Sequence, residues 1–302
     1  MNQKLRLLNS LRPLPKGAVK KLREQFELEM TYNSNAIEGN SLTLKETYWV
    51  IHEGLTIKGK PFRDHLEAKD HHAALGFLYE LISDESQPTL SEHLIKTLHH
   101  LVVKKSEEEF AGKYRTSNVV IGGSDHVPPD ALQVPQKMEG LMKWFAEKQK
   151  ILHPVELAAI FHHKLVHLHP FLDGNGRTAR LVMNVILLKA SYPLTIVLKN
   201  DRRKYYRVLN KADQREYEPL VKFVAQTVER SLDIYLQALQ PTNDPKKKFR
   251  LLSKISQKVP YSAKYLNLLA RTGKLAAHKK GRNWVTSVEE VEKYRQNRKR
   301  KV

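Results

Sequence analysis

Apolar residues recur at the three- and four-residue spacing of an α-helix along most of the chain, which predicts a mainly helical protein. An N-terminal helix keeps an apolar face through Val19, Leu22, Phe26 and Met30. Two patterns in the middle of the chain predict buried helices on either side of a short loop. Their apolar positions are Leu157, Ile160, Phe161, Leu165 and Leu168 before the loop, and Leu181, Val185, Ile186 and Leu188 after it. The loop therefore joins two core helices.

Other local patterns mark helix starts and two β-hairpins. Thr43-x-x-Glu46 is a capping-box pattern, and Thr89 or Ser91 is placed to cap the helix that follows. The segment SNVVIGGSDHVPP combines a β-branched run with glycines and prolines, which predicts a short hairpin. A second hairpin is predicted in RTGKLAAHKKGRNWVTS, with its turn at Lys280–Gly281.

The last fifty residues have the pattern of a helix-turn-helix around this second hairpin. Apolar positions predict two short helices before it, and Ser287 with Glu290 three residues on predicts a capped helix after it. The apolar positions are Leu251, Leu252 and Ile255, then Tyr265, Leu266, Leu268 and Leu269. Prolines and a lysine run at residues 241–248 predict a linker in front of this module.

Composition limits the class of protein. The chain has 302 residues and no cysteine, which excludes a disulfide scaffold, thiolate zinc sites and a cysteine nucleophile. It shows neither a signal-peptide pattern nor a membrane-spanning apolar run, so we expect a cytoplasmic protein without a membrane partner. The net charge is +20, and residues 246–302 carry +15 of it, from 18 Lys and Arg against three Glu. Such a module is typical of contact with a polyanion or of a solubilising surface.

The loop between the two core helices, HLHPFLDGNGRTAR, concentrates residues suited to bind phosphate. Gly174 and Gly176 lack a Cβ, so backbone N–H groups at the start of the second helix can approach an anion. Asn175 adds an amide donor, and Arg177 and Arg180 lie on one face of that helix. We expect this segment to hold a polyphosphate.

Two more residues of the loop supply chemistry. Asp173 is a hard oxygen ligand, suited to a Mg²⁺ ion that bridges phosphates. His169, at the end of the first helix, is placed to take a proton from an incoming hydroxyl. A base, a metal ligand, two glycines and two arginines occur within twelve residues, which favours a phosphate-transfer site over a plain surface turn.

The motif HPFxDGNGRxxR, complete at residues 169–180, resembles the signature of Fic-domain proteins. The resemblance implies transfer of AMP from ATP to a Ser, Thr or Tyr hydroxyl of a protein, including the enzyme itself. It implies His169 as the base and Asp173 as the Mg²⁺ ligand. The phosphate-binding residues that it implies are Gly174, Asn175, Gly176 and Arg177 for the α- and β-phosphates, and Arg180 for the γ-phosphate.

The likeness extends to two further segments. The segment GKYRTSNVVIGGSDHVPP, which contains the first predicted hairpin, resembles the family's flap, which holds the target protein as an added strand. The target contacts that it implies are Val120, Ile121 and Gly122. The segment DRRKYYRVLNKAD resembles the helix beside the adenosine, which implies contacts from Tyr206 and Tyr205, with core packing as the alternative. Asp213 stands near a position where relatives often have asparagine, and this departure concerns the adenine contact that the resemblance implies.

The segment SNAIEGN, from Ser34 to Asn40, resembles an inhibitory motif that some Fic proteins carry before the catalytic core. On a helix, Ser34 and Glu38 share one face and can form a hydrogen bond. The resemblance implies that Glu38 pairs with Arg180 and prevents productive binding of ATP. Without the Fic motif, the same letters would indicate only a helix end at Gly39.

The expected fold class is mainly α: a Fic-type helical bundle with a small β-hairpin flap, plus a C-terminal winged helix. The predicted domains are an N-terminal helical region with the inhibitory helix (1–92), the Fic catalytic core (93–240), the linker (241–248) and the winged-helix domain (249–302). The basic winged helix makes DNA a candidate partner, and docking on the core or selection of a protein target is the alternative. A homodimer is a candidate assembly.

Three other functions fit parts of the sequence. His163 and His167 lie four apart on a helix, which suggests a zinc hydrolase. However, no adjacent Glu completes a His-Glu-x-x-His motif, and the glycine loop would have no role. Fic relatives also transfer phosphate or phosphocholine, but Asp173 with Gly176 favours AMP. The third alternative is a DNA-binding transcription regulator whose Fic core only binds nucleotide.

Overall fold

The computed structural model describes residues 1–83, 89–122, 126–239, 249–272, 274–280 and 283–299. Within these ranges the α-helices are α1 (Asn2–Ser10), α2 (Lys16–Ile37), α3 (Leu44–His52), α4 (Phe62–Ser83), α5 (Glu92–Val103), α6 (Val134–Lys148), α7 (Pro154–Leu168), α8 (Asn175–Lys189), α9 (Arg202–Asp213), α10 (Glu218–Leu239), α11 (Leu252–Ile255), α12 (Ala263–Arg271) and α13 (Val288–Lys299). The strands are β1 (Arg250–Leu251), β2 (His278–Lys280) and β3 (Asn283–Thr286). Among these helices, none is both long enough and apolar enough to cross a membrane.

The described chain forms two compact units. Lys20–Val228 makes up the larger unit, and the described residues of Met1–Val19 and Glu229–Val302 make up the smaller one. The domain boundaries expected from the sequence stay a prediction, and the predicted linker at 241–248 lies outside the described residues.

Helices α7 and α8 pack along each other at the centre of the larger unit, and α4 and α5 also contact α8. The apolar positions predicted for these two helices are buried, except for Leu188, which is half-buried. Burial of a Leu or Ile side chain contributes roughly 1.5–3 kcal/mol. The loop between α7 and α8 is therefore held at both ends by well-packed helices.

Helix α2 buries Leu22, Phe26 and Met30 as its apolar spacing predicts, whereas Val19 is exposed. Its last turns also bury polar side chains, and buried polar groups require hydrogen-bond partners. Asn33 is one of them, and its Oδ1 accepts from the Lys199 N–H at 2.9 Å. The C-terminal end of α2 is therefore fixed against the core.

The local cap predictions are confirmed. Thr43 accepts from the Glu46 N–H, and the Glu46 carboxylate accepts from the Thr43 N–H at 2.7 Å, which completes the capping box of α3. Ser91 caps α5. Ser287 Oγ accepts from the Glu290 N–H at 3.2 Å at the start of α13.

The flap (residues 117–129) forms no strand in its described residues, which corrects the predicted β-hairpin. Arg115 connects its two arms instead, because its guanidinium donates to the Ser117 carbonyl at 3.0 Å and to the Pro129 carbonyl. Side-chain bonds thus replace a backbone ladder, to which Pro128 and Pro129 have no N–H to donate.

The three strands lie in the smaller unit as an antiparallel sheet of order β1-β3-β2. In the second predicted hairpin, β2 and β3 pair with Lys280 opposite Asn283, which confirms its strands, while its turn lies outside the described residues. The core of this unit consists of Leu252, Ile255, Leu266, Leu269, Ala270, Leu275, Val288 and Val291. Leu251 belongs to β1 rather than to the first helix, and Leu268 is exposed rather than buried.

Candidate active site

The candidate site lies where α7 ends and α8 begins. His169 follows α7 with a φ of 49°, and Gly174 precedes α8 with a φ of 74°. A positive φ favours glycine, and a Cβ on Gly174 would also lie 2.7 Å from Val103 Cγ1. Gly174 is therefore required by backbone conformation and packing, in addition to any access that it gives to an anion.

Asn175 holds the loop together from inside. Its Oδ1 accepts from the Phe171 N–H at 3.0 Å, its Nδ2 donates to the Phe171 carbonyl at 2.9 Å, and its side chain is buried. This corrects the expectation that the Asn175 amide is a donor to phosphate. The backbone N–H of Asn175, at the first position of α8, is therefore the donor that we assign to that role.

His169 presents one ring nitrogen for chemistry. Its Nδ1 donates to the Val166 carbonyl at 3.3 Å, which leaves Nε2 as the acceptor. Burial lowers the pKa of His169, and the Val166 contact offsets this only in part, so the ring is neutral at pH 7. Arg115 Nε donates to the His169 carbonyl at 2.8 Å and fixes the backbone. A neutral histidine with an accepting Nε2 is the form that a general base requires.

Arg180 lies near the centre of α8 with its side chain fully buried. Its Nη2 lies 2.7 Å from Glu38 Oε1 and donates to the Ser34 carbonyl at 2.8 Å, and its Nε donates to Ser34 Oγ at 3.0 Å. Its Nη1 has no partner at hydrogen-bond distance within the described part of the chain, although the Tyr205 hydroxyl interacts with the guanidinium. Burial would lower the pKa of Arg180, but the Glu38 charge raises it on balance, so the guanidinium stays charged.

Gly176 keeps the space in front of Arg180 open. A Cβ at this position would overlap the Glu38 carboxylate and would lie 3.1 Å from Arg180 Nη1. The φ of Gly176 is not positive, so the backbone does not demand a glycine here. The missing side chain lets an anionic oxygen reach both the start of α8 and the Arg180 guanidinium. In this structure that oxygen belongs to Glu38.

Ser34 and Glu38 meet at Arg180 rather than at each other. Helix α2 ends at Ile37, so Glu38 lies one residue beyond it, and no hydrogen bond joins Ser34 to Glu38 among the described residues. This corrects the expected Ser34–Glu38 bond. Arg202 Nε donates to the Ile37 carbonyl at 2.6 Å and fixes the turn that presents Glu38.

Arg177 and Asp173 form a charged pair at the entrance of the site. Arg177 is buried, and its guanidinium lies 3.3 Å from Asp173 Oδ2 and 3.4 Å from Glu67 Oε1. Asp173 Oδ1 accepts from the Gly174 N–H at 2.6 Å. Burial would raise the pKa of Asp173, but Arg177 and the Gly174 N–H lower it on balance, so the carboxylate is ionised.

Asp173 meets the main requirements for a Mg²⁺ ligand. Its carboxylate is ionised, and its side chain is 45% exposed. One carboxylate is sufficient where phosphate oxygens and water supply the other ligands. Arg63 Nη2 lies 2.5 Å from Asp173 Oδ2 and 3.1 Å from Glu107 Oε1. The carboxylate therefore fits the ion, provided that Arg63 moves away from it.

The two tyrosines implied for adenosine contact lie in different surroundings. Tyr205 is 2% exposed, and its hydroxyl lies 2.8 Å from His162 Nε2. Its ring belongs to the core packing, which corrects the expectation of an adenosine contact, and its hydroxyl also interacts with the Arg180 guanidinium. Tyr206 is half-buried, and Arg202 Cζ lies 4.9 Å from its ring centroid. Tyr206 thus remains accessible at the edge of the site.

The three flap residues implied for target binding also differ in exposure. Val120 is 95% exposed, Gly122 is exposed and Ile121 is half-buried. Arg115 bonds to both arms of the flap and to the His169 carbonyl. It therefore joins the flap to the loop that carries the candidate base.

The sequence patterns did not single out Arg63, Arg115 or His99. His99 Nε2 donates to the Asp173 carbonyl at 2.9 Å, and its Nδ1 accepts from the Gly112 N–H at 2.9 Å. Burial lowers the pKa of His99 to about 4, so the ring is neutral and keeps this tautomer. Of these three residues, only Arg115 lies in a segment that the sequence analysis recognised, namely the one that resembles the flap. Arg63 and His99 contact Asp173, which is far from both in the sequence.

Comparison with known proteins gives matches of sequence and of fold. Residues 89–187 match the model of the Fic/DOC family. A protein adenylyltransferase Fic of Nematostella vectensis is 37% identical over 226 residues, which cover 74% of this chain and 52% of that protein. A Fic domain containing signaling protein from Bacteroides thetaiotaomicron matches with a TM-score of 0.74 at 28% identity, over 80% of this chain and 97% of that one. Fic-1 from C. elegans matches with a TM-score of 0.70 at 31% identity, over 78% of this chain and 72% of that one.

The chain therefore belongs to the Fic/DOC family. The mainly helical fold expected from the apolar spacing is confirmed, and it is consistent with the Fic fold that the HPFxDGNGRxxR motif implies. The chain spans about half the length of the curated relatives that it matches.

Proposed function

We propose that this protein is an adenylyltransferase that moves AMP from ATP to a Ser, Thr or Tyr hydroxyl of a protein, its own included. The observation that carries the proposal is the Glu38 carboxylate in front of α8, against Gly176 and 2.7 Å from Arg180. It marks a point where an anionic oxygen is bound, on the same loop as the neutral His169. That combination suits transfer from a polyphosphate. Curated relatives carry the name protein adenylyltransferase Fic.

Charged and backbone donors would hold the triphosphate. The start of α8 offers unpaired N–H groups, including those of Asn175 and Gly176, and the positive end of the helix dipole. Arg177 and Arg180 add two buried positive charges. Arg180 Nη1, which makes no hydrogen bond within the described residues, is an available donor for the γ-phosphate. Tyr206 is the tyrosine that we assign to the adenosine side.

The proposed transfer is a displacement at the α-phosphorus of ATP. The target hydroxyl oxygen bonds to this phosphorus while its proton moves to Nε2 of His169. The bond from the α-phosphorus to the oxygen that bridges to the β-phosphate breaks, and pyrophosphate leaves with both electrons of that bond. The Nδ1–H bond to the Val166 carbonyl keeps His169 in the tautomer that can accept the proton.

Asp173 would hold Mg²⁺. When bound, such an ion neutralises charge on the phosphates and helps to orient them. The contribution of the chain is to keep the Asp173 carboxylate ionised, through Arg177 and the Gly174 N–H, and to place it next to the start of α8. Arg63 would release the carboxylate when the ion enters.

Glu38 would inhibit this transfer. Its carboxylate takes the position at Arg180 that the γ-phosphate needs, and two anions repel each other strongly at a buried site. The bond from Arg202 to the Ile37 carbonyl and the bonds from Arg180 to Ser34 hold Glu38 in place. ATP would then bind productively only after Glu38 leaves the guanidinium, so we expect low basal activity.

The flap would hold the protein target. Its described backbone forms no strand, and Val120 and Gly122 are exposed. An extended segment of the target can pair with such a backbone through main-chain hydrogen bonds, which place few demands on side chains. Arg115 would keep this segment in register with His169, because it bonds to both.

The C-terminal elements support a second candidate function. We interpret α11, α12, the β2–β3 hairpin and α13 as a winged helix, and α12 exposes Lys264, Asn267 and Arg271. These side chains suit DNA contact by the second helix of such a module. Binding of a labelled DNA duplex by the full chain should weaken steeply with salt and on Lys264→Ala plus Arg271→Ala. If neither the increase in salt nor the double substitution weakened binding, this role would be rejected.

Labelled ATP tests the main proposal. The Glu38→Gly protein is incubated with Mg²⁺ and with ATP labelled at either the α- or the γ-phosphate, and protein-bound label is counted. We expect label from the α position only, and none after an added His169→Ala change. His100→Ala, at an exposed histidine of α5, is the matched control and should keep the label. Label from the γ position alone would instead indicate phosphate transfer, and no label from either position would reject the enzyme assignment.

A further inference from the structure

Three side chains that can bind a metal ion converge outside the loop that carries His169. His126 comes from the flap, His167 from the last turn of α7 and Asp213 from the end of α9. One ligand atom from each residue lies within 4.8 Å of the other two. The chain thus brings two imidazoles and a carboxylate together from segments that are far apart in the sequence.

Hydrogen bonds around the cluster orient these side chains as the outer contacts of a metal site do. His126 Nε2 lies 2.6 Å from the His167 carbonyl oxygen. A carbonyl can only accept, so Nε2 is the donor of this hydrogen bond. His163 Nε2 donates to Asp213 Oδ1 at 2.8 Å. Metal-binding histidines and carboxylates are generally held by this kind of bond to a backbone carbonyl or a second side chain.

An ion can reach the cluster from solvent. The three residues line a cavity of about 730 Å³ between the flap and the core of the larger unit. The side chain of His167 is 42% exposed, and that of Asp213 is 26% exposed. His167 Nδ1 now lies 2.9 Å from Asp213 Oδ1, and an ion would take the place of the proton between these two atoms.

We propose that His126, His167 and Asp213 bind a Zn²⁺ ion, with water as the fourth ligand. Two imidazoles and one carboxylate form a donor set that zinc accepts, and such three-residue sites keep water in the open position. Binding exchanges the Nδ1 proton of His167 for the metal, and the proton passes to solvent. The chain has no cysteine, so no thiolate competes for the ion.

Binding requires the ligand atoms to shift and the stacked rings of His126 and His167, whose centroids are 3.7 Å apart, to turn toward the ion. Zinc bonds of about 2.0–2.2 Å in tetrahedral geometry place ligand atoms roughly 3.4 Å apart. The farthest pair therefore has to close by about 1.4 Å at most, starting from 4.8 Å. The bound ion would connect the flap to α7 and α9. Its ligand His167 lies two residues before His169. This site differs from a zinc-hydrolase motif, because its ligands come from three segments.

Calorimetry on the full chain tests the site without nucleotide, so its outcome does not depend on adenylyl transfer. ZnCl₂ is titrated into protein stripped of metal with a chelator. We expect one zinc per chain, and at least a tenfold loss of affinity in both His126→Ala and Asp213→Asn. His100→Ala removes an exposed histidine elsewhere and should leave the affinity unchanged.

Asp213→Asn keeps the size of the side chain and one oxygen for His163, so it carries the test if His126→Ala does not fold. Thermal unfolding without zinc establishes that each variant is folded. The absence of zinc binding in the wild type would overturn the proposal. Equal zinc affinity in the wild type and folded Asp213→Asn would do the same, because the ion would then be bound elsewhere.

Discussion

The Glu38 carboxylate lies 2.7 Å from the guanidinium of Arg180, and this ion pair connects the end of α2 to the centre of α8. Arg180 is fully buried, while the Glu38 side chain is 34% exposed. A buried charge needs a partner, and removing one partner is costly unless another anion replaces it. The partner of Arg180 can therefore be exchanged, and a phosphate is the natural replacement.

Glu38→Gly should raise self-labelling by ATP about tenfold or more, which corresponds to about 1.4 kcal/mol. The substitution removes the anion that competes for Arg180 and leaves the guanidinium for the γ-phosphate. Protein-bound label after incubation with α-labelled ATP and Mg²⁺ measures the effect. Glu53→Gly, at the exposed end of α3, is the matched control, since it makes the same chemical change away from Arg180. Equal labelling of both variants would remove Glu38 as an inhibitor.

The labelling rate should fall on the acid side of pH 6.5. Burial lowers the pKa of His169 below the ordinary value of 6.5, so the accepting Nε2 is present above that pH and is lost as pH falls through the lowered value. A pH–rate profile of Glu38→Gly between pH 5 and 8 checks this. ATP binding to His169→Ala is measured over the same range, so that an effect of pH on binding is separated from an effect on the base. An acid limb centred above pH 7 would contradict the assignment of His169.

Gly176→Ala should abolish most of the labelling without weakening the fold. Ala stabilises a helix relative to Gly by about 1 kcal/mol. However, the Cβ of an alanine at this position would lie 3.1 Å from Arg180 Nη1, in the space where we expect a phosphate oxygen. Made in the Glu38→Gly protein, the change should lower labelling at least tenfold with an unchanged or higher melting temperature. Gly76→Ala in α4, where an added Cβ meets nothing within 4 Å, is the control. Full labelling by Gly176→Ala would place the phosphates elsewhere.

Arg63→Gln should lower the Mg²⁺ concentration needed for half-maximal labelling. Arg63 contacts the Asp173 carboxylate from a half-exposed position, and such an exposed pair contributes roughly 0.5–1 kcal/mol. Its loss should reduce the requirement by about two- to fivefold. A Mg²⁺ titration of the Glu38→Gly protein with Arg63→Gln, or with Arg203→Gln on α9 as control, measures the shift. A higher requirement would mean that Arg63 itself helps to hold the nucleotide.

The local features of the fold follow from the sequence, because they depend on neighbours along the chain. Apolar spacing predicts α7 and α8, and the caps at Thr43, Ser91 and Ser287 are formed by residues three positions apart. The flap was wrongly predicted as a hairpin because its β-branched run gives no information about Arg115, whose guanidinium connects the arms.

The candidate site was predictable in its residues but not in their contacts. The Asn175 amide bonds to Phe171 rather than to the open side of the loop, and nothing in the letters Gly-Asn-Gly distinguishes these outcomes. Tyr205 and Tyr206 are adjacent on α9, so periodicity alone cannot tell which one faces the core. The contact of Arg63 with Asp173 and the cluster around Asp213 depend on tertiary packing between distant segments.

The affinity for ATP, measured by calorimetry with Mg²⁺ in proteins that carry His169→Ala, tests the central claim most directly. These proteins cannot turn over, so binding is observed alone, with Glu38 either intact or replaced by Gly. If the Glu38 carboxylate occupies the position of the γ-phosphate at Arg180, the Glu38→Gly version binds ATP at least tenfold more tightly, and AMP, which has no γ-phosphate, gains much less. Equal ATP affinities in the two proteins would contradict the account.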